Sequence, residues 1–197
     1  MIRVRNEDLR TKILEEAIGM VAREGVNRTT MRALARRLKI SPATLYQHFR
    51  NKQHLQRRIA LHGFGKLGEA LDAAVGIDGP VEALRAMTAR YIQFGLSNPE
   101  LYQLMFQTMG SLRELRLVGD PLVLRVRGKI ASVYERGVAS GAFRRVDPEV
   151  EISVHWATVH GLVQLVAASR LPDAHSPTDL RQLQNAAIEM MLCSLRP

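Results

Sequence analysis

The sequence predicts an all-α protein of about nine helices. A three-helix head with a helix-turn-helix is joined by a long helix to a helical body. Three observations carry this prediction. Apolar residues recur at helical spacing and rarely alternate as in strands. Pro and Gly fall where helices would start and stop. The excess of basic charge lies wholly in the first third of the 197 residues.

The elements follow in order. Asn6 is placed to cap a first helix, with Glu7 and Asp8 in its first turn. Leu9, Ile13, Ala17 and Val21 recur at helical spacing, and Gly25 stops the run. Thr30 caps a short second helix carrying Met31, Leu34, Ala35 and Leu38. After the turn Lys39-Ile40, Ser41 caps a third helix with Pro42 at its first position, where the missing N–H costs nothing. Asn51 starts a long fourth helix, from Lys52 to near Ala74, in which Gly63, Gly65 and Gly68 invite a bend. Beyond it, Gly79-Pro80, Asn98-Pro99, Asp120-Pro121, Asp147-Pro148 and Ser176-Pro177 each precede an apolar periodic segment. They predict helices near 80–97, 99–109, 121–140, 148–170 and 177–194. The head is expected over residues 1–55 and the body over 56–197.

Apolar residues make up 46% of the chain, enough for a real core. The single cysteine, Cys193, rules out a disulfide within one chain and fits a reducing compartment. The first residues hold no apolar stretch of signal-peptide length, and no apolar run is long enough to span a bilayer. A cytoplasmic location without membrane contact is therefore expected.

The net charge is +9. Residues 1–58 hold 14 Lys and Arg against 5 Asp and Glu, whereas residues 59–197 hold 14 of each. No carboxylate occurs between Glu24 and Glu69, a stretch with ten Lys or Arg. A solvated helical face ordinarily mixes both signs. A long stretch without acids suits a surface that lies on a polyanion, double-stranded DNA above all.

Residues 29–52 have the parts of a helix-turn-helix. Leu34, Ala35, Leu38, Ile40, Leu45 and Phe49 form a small core that aims the third helix into a major groove about 12 Å wide. Ala43, Thr44 and Gln47 can approach base edges. Gln can bond adenine twice, and Ala or a Thr methyl can touch a thymine methyl. Tyr46, His48 and Lys52 are candidates for phosphate, with Thr30, Arg32 and Ser41 completing the DNA-contacting set. Plainer alternatives stand beside these roles: packing for Tyr46, and capping or a place in solvent for His48. Ser41 lacks a capping-box Glu; Thr44 stands there, sparing DNA a carboxylate. Arg3 and Arg5 form a basic arm.

Residues 7–55 resemble the DNA-binding domain of the TetR family. The resemblance rests on Thr30-x-x-x-Leu34-Ala35, then Ser41-Pro42-Ala43-Thr44-Leu45-Tyr46-Gln47-His48-Phe49, then Asn51-Lys52-x-x-Leu55. It implies that the third helix reads an operator and that Lys52 contacts phosphate. One departure is Lys39, where the family usually carries Gly. If that backbone is left-handed, a Lys there costs roughly 1 kcal/mol relative to Gly. In the body, Asn98–Phe106 looks familiar, and His155-Trp156 with His160-Gly161 resembles one subfamily's Trp…His-Gly signature. Residues 141–149 look like the family's link into its penultimate helix. The resemblance implies a homodimer through helices near 148–170 and 177–194, which form a four-helix bundle with a second subunit.

The residues support that bundle independently. Val154, Ala157, Gly161, Leu165 and Ala168 give a stripe with small members, and Leu183, Ala186, Ala187, Met190 and Met191 give another; intramolecular core is the alternative. A dimer can place two heads on a pseudo-palindromic operator. Tyr91, Phe94, Tyr102, Met105, Phe106, Met109, Trp156 and His160 are bulky, soft groups suited to a largely apolar small-molecule effector, or simply to core. No cofactor, metal cluster, phosphate-binding glycine loop or nucleophile motif points to an enzyme. The expected function is a repressor released from DNA by its ligand. The alternatives are an activator, or a DNA binder without effector.

Overall fold

The computed structural model describes residues 2–106, 117, 119–171 and 177–197. Among these it holds nine helices and no strand. They are α1 Ile2–Glu24, α2 Met31–Arg37, α3 Pro42–His48, α4 Lys52–Val75, α5 Pro80–Ser97, α6 Pro99–Phe106, α7 Pro121–Ala139, α8 Pro148–Ala167 and α9 Pro177–Ser194. The all-α class and the helix count agree with the sequence prediction. Two compact units share α4: one comprises Met1–Phe64 and Asn98–Val123, the other Gly65–Ser97 and Leu124–Pro197.

In the first unit, α1 buries Ile13, Ala17, Met20 and Val21. It packs on α2 and α6, and α2 packs on α3. Leu34, Ala35, Leu45 and Phe49 are buried, and Leu38 and Ile40 half-buried, as a helix-turn-helix core requires. The first half of α4 adds Leu55, Ile59 and Ala60. Each such fully buried large side chain contributes about 1.5–3 kcal/mol relative to exposure. Arg57 on α4 bonds Asp120 at 2.6 Å, and the other oxygen of Asp120 accepts Leu122 N–H at 3.0 Å.

In the second unit, α5 packs against α8 and α9. Leu84, Met87 and Ile92 of α5, Ile152, Val159 and Val163 of α8, and Ile188 and Leu192 of α9 are all buried. Two arginines close helix ends whose last carbonyls have no helical partner. Arg136 donates to Val75 O at 3.0 Å and Ile77 O at 3.2 Å, below α4. Arg144 donates from Nε to Ser194 O at 2.6 Å, and its backbone N–H reaches Leu195 O at 2.8 Å.

Two boundaries differ from expectation. α1 starts at Ile2, so Asn6 lies within it and does not cap it. No Pro or Gly in residues 2–5 stops the helix from continuing past that position. α8 ends at Ala167 because Ser169 turns left-handed at φ 51°. α4 is one continuous helix through its glycines. Gly63 and Gly68 are places of close approach: a Cβ on Gly63 would stand 2.5 Å from Met105 Sδ, and one on Gly68 3.2 Å from Val126 Cγ2.

Candidate nucleic-acid interface

The local chain chemistry fixes α2 and α3. Thr30 has extended backbone, and its hydroxyl accepts Ala33 N–H at 3.1 Å. Ser41 does the same for α3, accepting Thr44 N–H at 3.0 Å, while the two hydroxyls lie 2.8 Å apart. The turn between them places Lys39 at φ 53°, the left-handed conformation that the sequence raised as a condition.

Leu45 and Phe49 point inward and are fully buried, so the rest of α3 faces out. Ala43 and Gln47 are exposed, and Tyr46 stands 49% exposed, clear of the core. Thr44, His48 and Lys52 are half-buried; Thr30, Arg32 and Ser41 are exposed. One surface thus carries a small side chain, an amide and a phenol between two capped helix starts. Asn51 caps α4 beside it, accepting His54 N–H at 2.7 Å. The surroundings are cationic. Burial, then Arg10, Arg50, Arg58 and Arg57, hold the His54 imidazole below its usual range. Arg10 also lies 5.7 Å over the Phe49 ring. Arg37 faces the acids of α1, pairing with Glu24 and, at 3.5 Å, with Glu16, so it braces the head. The side chains of Arg3 and Arg5 lie outside the described residues.

Comparison with known proteins bears on this arrangement. Residues 13–59 match the family described as bacterial regulatory proteins, tetR family, and residues 84–191 match the tetracyclin repressor-like C-terminal domain. The chain belongs to the TetR family. It is therefore a transcriptional regulator with an N-terminal helix-turn-helix DNA-binding domain, and its family is not one of enzymes.

Among relatives of this TetR-family chain is the uncharacterized HTH-type transcriptional regulator YobS of Bacillus subtilis, 26% identical over 128 residues. That match covers 65% of each chain, so this protein spans just under two thirds of that relative. A protein of unknown function from Rhodococcus sp. RHA1 superposes with a TM-score of 0.80 at 26% identity, covering 96% of both chains. The TetR-family regulator PfmR from Thermus thermophilus gives 0.69 at 26% identity, covering 94% of this chain and 99% of that one. No helix among the described residues is long and apolar enough to cross a membrane.

The body of this TetR-family protein holds a buried polar group around His155, which the sequence showed only as part of a family signature. His155 on α8 is buried, with Thr88 Oγ1 3.0 Å from Nε2 and Tyr134 Oη 2.9 Å from Nδ1. Thr88 donates its hydroxyl proton to Leu84 O at 2.7 Å. Its oxygen must then accept from His155 Nε2–H, which leaves Nδ1 to accept from Tyr134. All three side chains are satisfied with the imidazole neutral. Burial lowers the His155 pKa to about 4, and burial and then Glu151 raise that of Tyr134. The signal in the sequence was the spacing of Ile152, His155, Val159 and Val163, which puts the histidine in the inward stripe of α8.

The residues expected around an effector divide between the units. Tyr91, Phe94, Trp156 and His160 belong to the second; Tyr102, Met105 and Phe106 belong to the first. Met109 lies outside the described residues. Trp156 Nε1 donates to Tyr91 Oη at 3.0 Å, and Trp156 lies 5.4 Å from the His160 ring. Burial lowers the pKa of His160. Tyr102 and Phe106 meet in a tilted contact at 4.7 Å, and Phe106 meets Phe64 at 5.5 Å, while Met105 is buried against Gly63. A cavity of about 20 Å³ in the second unit is lined by Leu71, Met87, Tyr91, Ile130, Ile152, His155, Trp156 and Val159. A larger cleft in the first unit is open and lined by charges of both signs, Glu24, Arg28, Lys52 and Glu100 among them, unlike an apolar ligand site.

Proposed function

We propose that this protein is a sequence-specific repressor that binds a pseudo-palindromic operator as a homodimer and leaves it when a small molecule enters the body. The observation that carries the reading is the outward face of α3. Ala43, Tyr46 and Gln47 project from a helix whose inner residues are fully buried, in a segment with no carboxylate between Glu24 and Glu69. Gln47 and the methyls of Ala43 and Thr44 read base edges. Thr30, Arg32, Ser41, Tyr46, His48 and Lys52 set register on phosphates. The residue 1–55 head does the reading and the residue 56–197 body controls it, in the cytoplasm where the chromosome lies.

The effector is largely apolar and enters beside Tyr91 and Trp156. The lining there carries no lysine, arginine or carboxylate, and the polar atoms of His155 already have partners. A space of about 20 Å³ is far below the roughly 300–1,000 Å³ of ordinary ligand pockets, so ligand entry must part the surrounding helices. α4 has residues in both compact units and passes that displacement to the head.

Selection of duplexes from a random pool by the purified protein, followed by titration of the winner at two salt concentrations, tests the reading. A pseudo-palindromic winner bound far more tightly than random DNA is the expected result. No enrichment, with steep salt dependence on every sequence, would make the protein a non-specific DNA binder.

A further inference from the structure

Lys39 sits in the turn of the helix-turn-helix at φ 53°. Its N–H donates to Arg36 O at 3.2 Å, and Ile40 N–H donates to Ala35 O at 3.0 Å. That pair of bonds is the helix stop whose left-handed position favours glycine. Glycine does occupy such positions elsewhere in this chain, at Gly25, Gly119 and Gly141. Among the described residues only Lys39 and Ser169 are non-glycine residues with positive φ. Serine is short and can bond its own backbone there. Lysine has a long aliphatic stem and only donors at its end, so nothing local offsets the strain.

The ammonium has no evident structural use either. Lys39 is exposed, and it has no carboxylate or hydrogen-bonded partner among the described residues, unlike Arg37 two positions earlier, which pairs with Glu24 and Glu16. It stands two residues before Ser41, the cap of the reading helix, with exposed Arg36 beside it. Strained backbone of this kind concentrates at functional positions.

We propose that Lys39 is a phosphate-contacting residue. Its ammonium docks on the DNA backbone beside the groove that α3 enters and helps fix the register of that helix. The inference rests on α3 being the DNA-reading helix. It predicts that backbone relief and DNA affinity move in opposite directions at this one position.

The test uses the full-length protein and a fluorescent duplex of random sequence, with binding followed by anisotropy over a range of potassium chloride concentrations. Lys39→Gly is expected to melt at or above the wild-type temperature, yet to flatten the slope of log affinity against log salt by about one unit per subunit. Lys39→Gln should lose the same slope without the gain in melting temperature. Lys39→Arg should keep the slope, as should Arg145→Gln, an exposed charge in the second unit. Wild-type slopes in both Lys39→Gly and Lys39→Gln would overturn the proposal and leave Lys39 a tolerated helix-stop residue. Absence of salt-dependent binding by the wild type would instead overturn the DNA reading of α3, and this inference with it.

Discussion

Thr88 gives its proton to Leu84 O, and the direction of the remaining two bonds around His155 follows from that one. The imidazole is held neutral by partners as well as by burial, which gives a prediction with a definite sign. The folded pKa is about 4 against an ordinary 6.5. The unfolded chain therefore takes up the proton first as pH falls. The contribution of His155 is fully present above pH 6.5 and is lost as pH drops toward 4. Between pH 7 and 5 the loss is about 2 kcal/mol. Urea unfolding of the wild type and of a Thr88→Val, Tyr134→Phe, His155→Leu variant at the two pH values checks this. Equal loss in both proteins would remove His155 as the source. On the proposed DNA face two substitutions have different expected effects. Lys52→Ala should weaken binding to every duplex and flatten the salt slope by roughly one unit. Gln47→Ala should relax preference at particular base pairs, and an equal loss on all sequences would strike it from the base readers.

At the scale of elements, the starts of α2, α3, α4 and α8 were legible because their causes are local, whereas the start of α1 was not. Thr30, Ser41, Asn51 and Asp147 each cap with their own side chain, and Pro42 and Pro148 stand where a missing N–H is harmless. The larger features that escaped depend on a partner distant in sequence. The sequence shows Gly63 only as a weak point in α4, since glycine in a helix costs about 0.5–1 kcal/mol relative to alanine. The fold uses it to bring α4 against α6, where a Cβ would stand 2.5 Å from Met105 Sδ, 2.8 Å from Met105 Cγ and 3.2 Å from Leu101 Cδ1. His155 was hidden in the same way: its partners lie 67 and 21 residues away. The helix-turn-helix fold was more legible, because it packs residues close in sequence. For α4, Gly63→Val should destabilise by about 1–3 kcal/mol through overpacking, despite removing a glycine. Adding Met105→Ala should recover part of that loss. Strictly additive effects in the double-mutant cycle would show that the two positions do not touch.

For the whole molecule, the deciding feature is that α8 is apolar on two faces. Ile152, Val159 and Val163 are buried within the chain, while Val150, Val154 and Leu165 are 56%, 55% and 43% exposed, with Ala157 exposed and Gly161 half-buried between them. No formally charged residue occurs between Glu151 and Arg170. On α9, Met190 is 59% exposed and Ala186 shares its face, whereas Met191 points into the chain, so it leaves the expected stripe. Exposed apolar residues on two helices that pack together are costly to leave in water and are the ordinary mark of an association face. In the proposed homodimer, small residues at Ala157, Gly161 and Ala186 would let helices of the second copy approach closely. Placing carboxylates there should separate the chains. Val154→Glu with Leu165→Glu is expected to halve the mass measured by sedimentation. It should also cut affinity for a selected operator by roughly 10²–10⁴, because the second head then binds without the effective concentration that tethering supplies. The salt slope for the complex should fall by about half, since one head instead of two displaces counterions. A variant that keeps the mass of two chains would move the dimer interface elsewhere, and a wild type that sediments as one chain would leave the exposed face of α8 to some other partner.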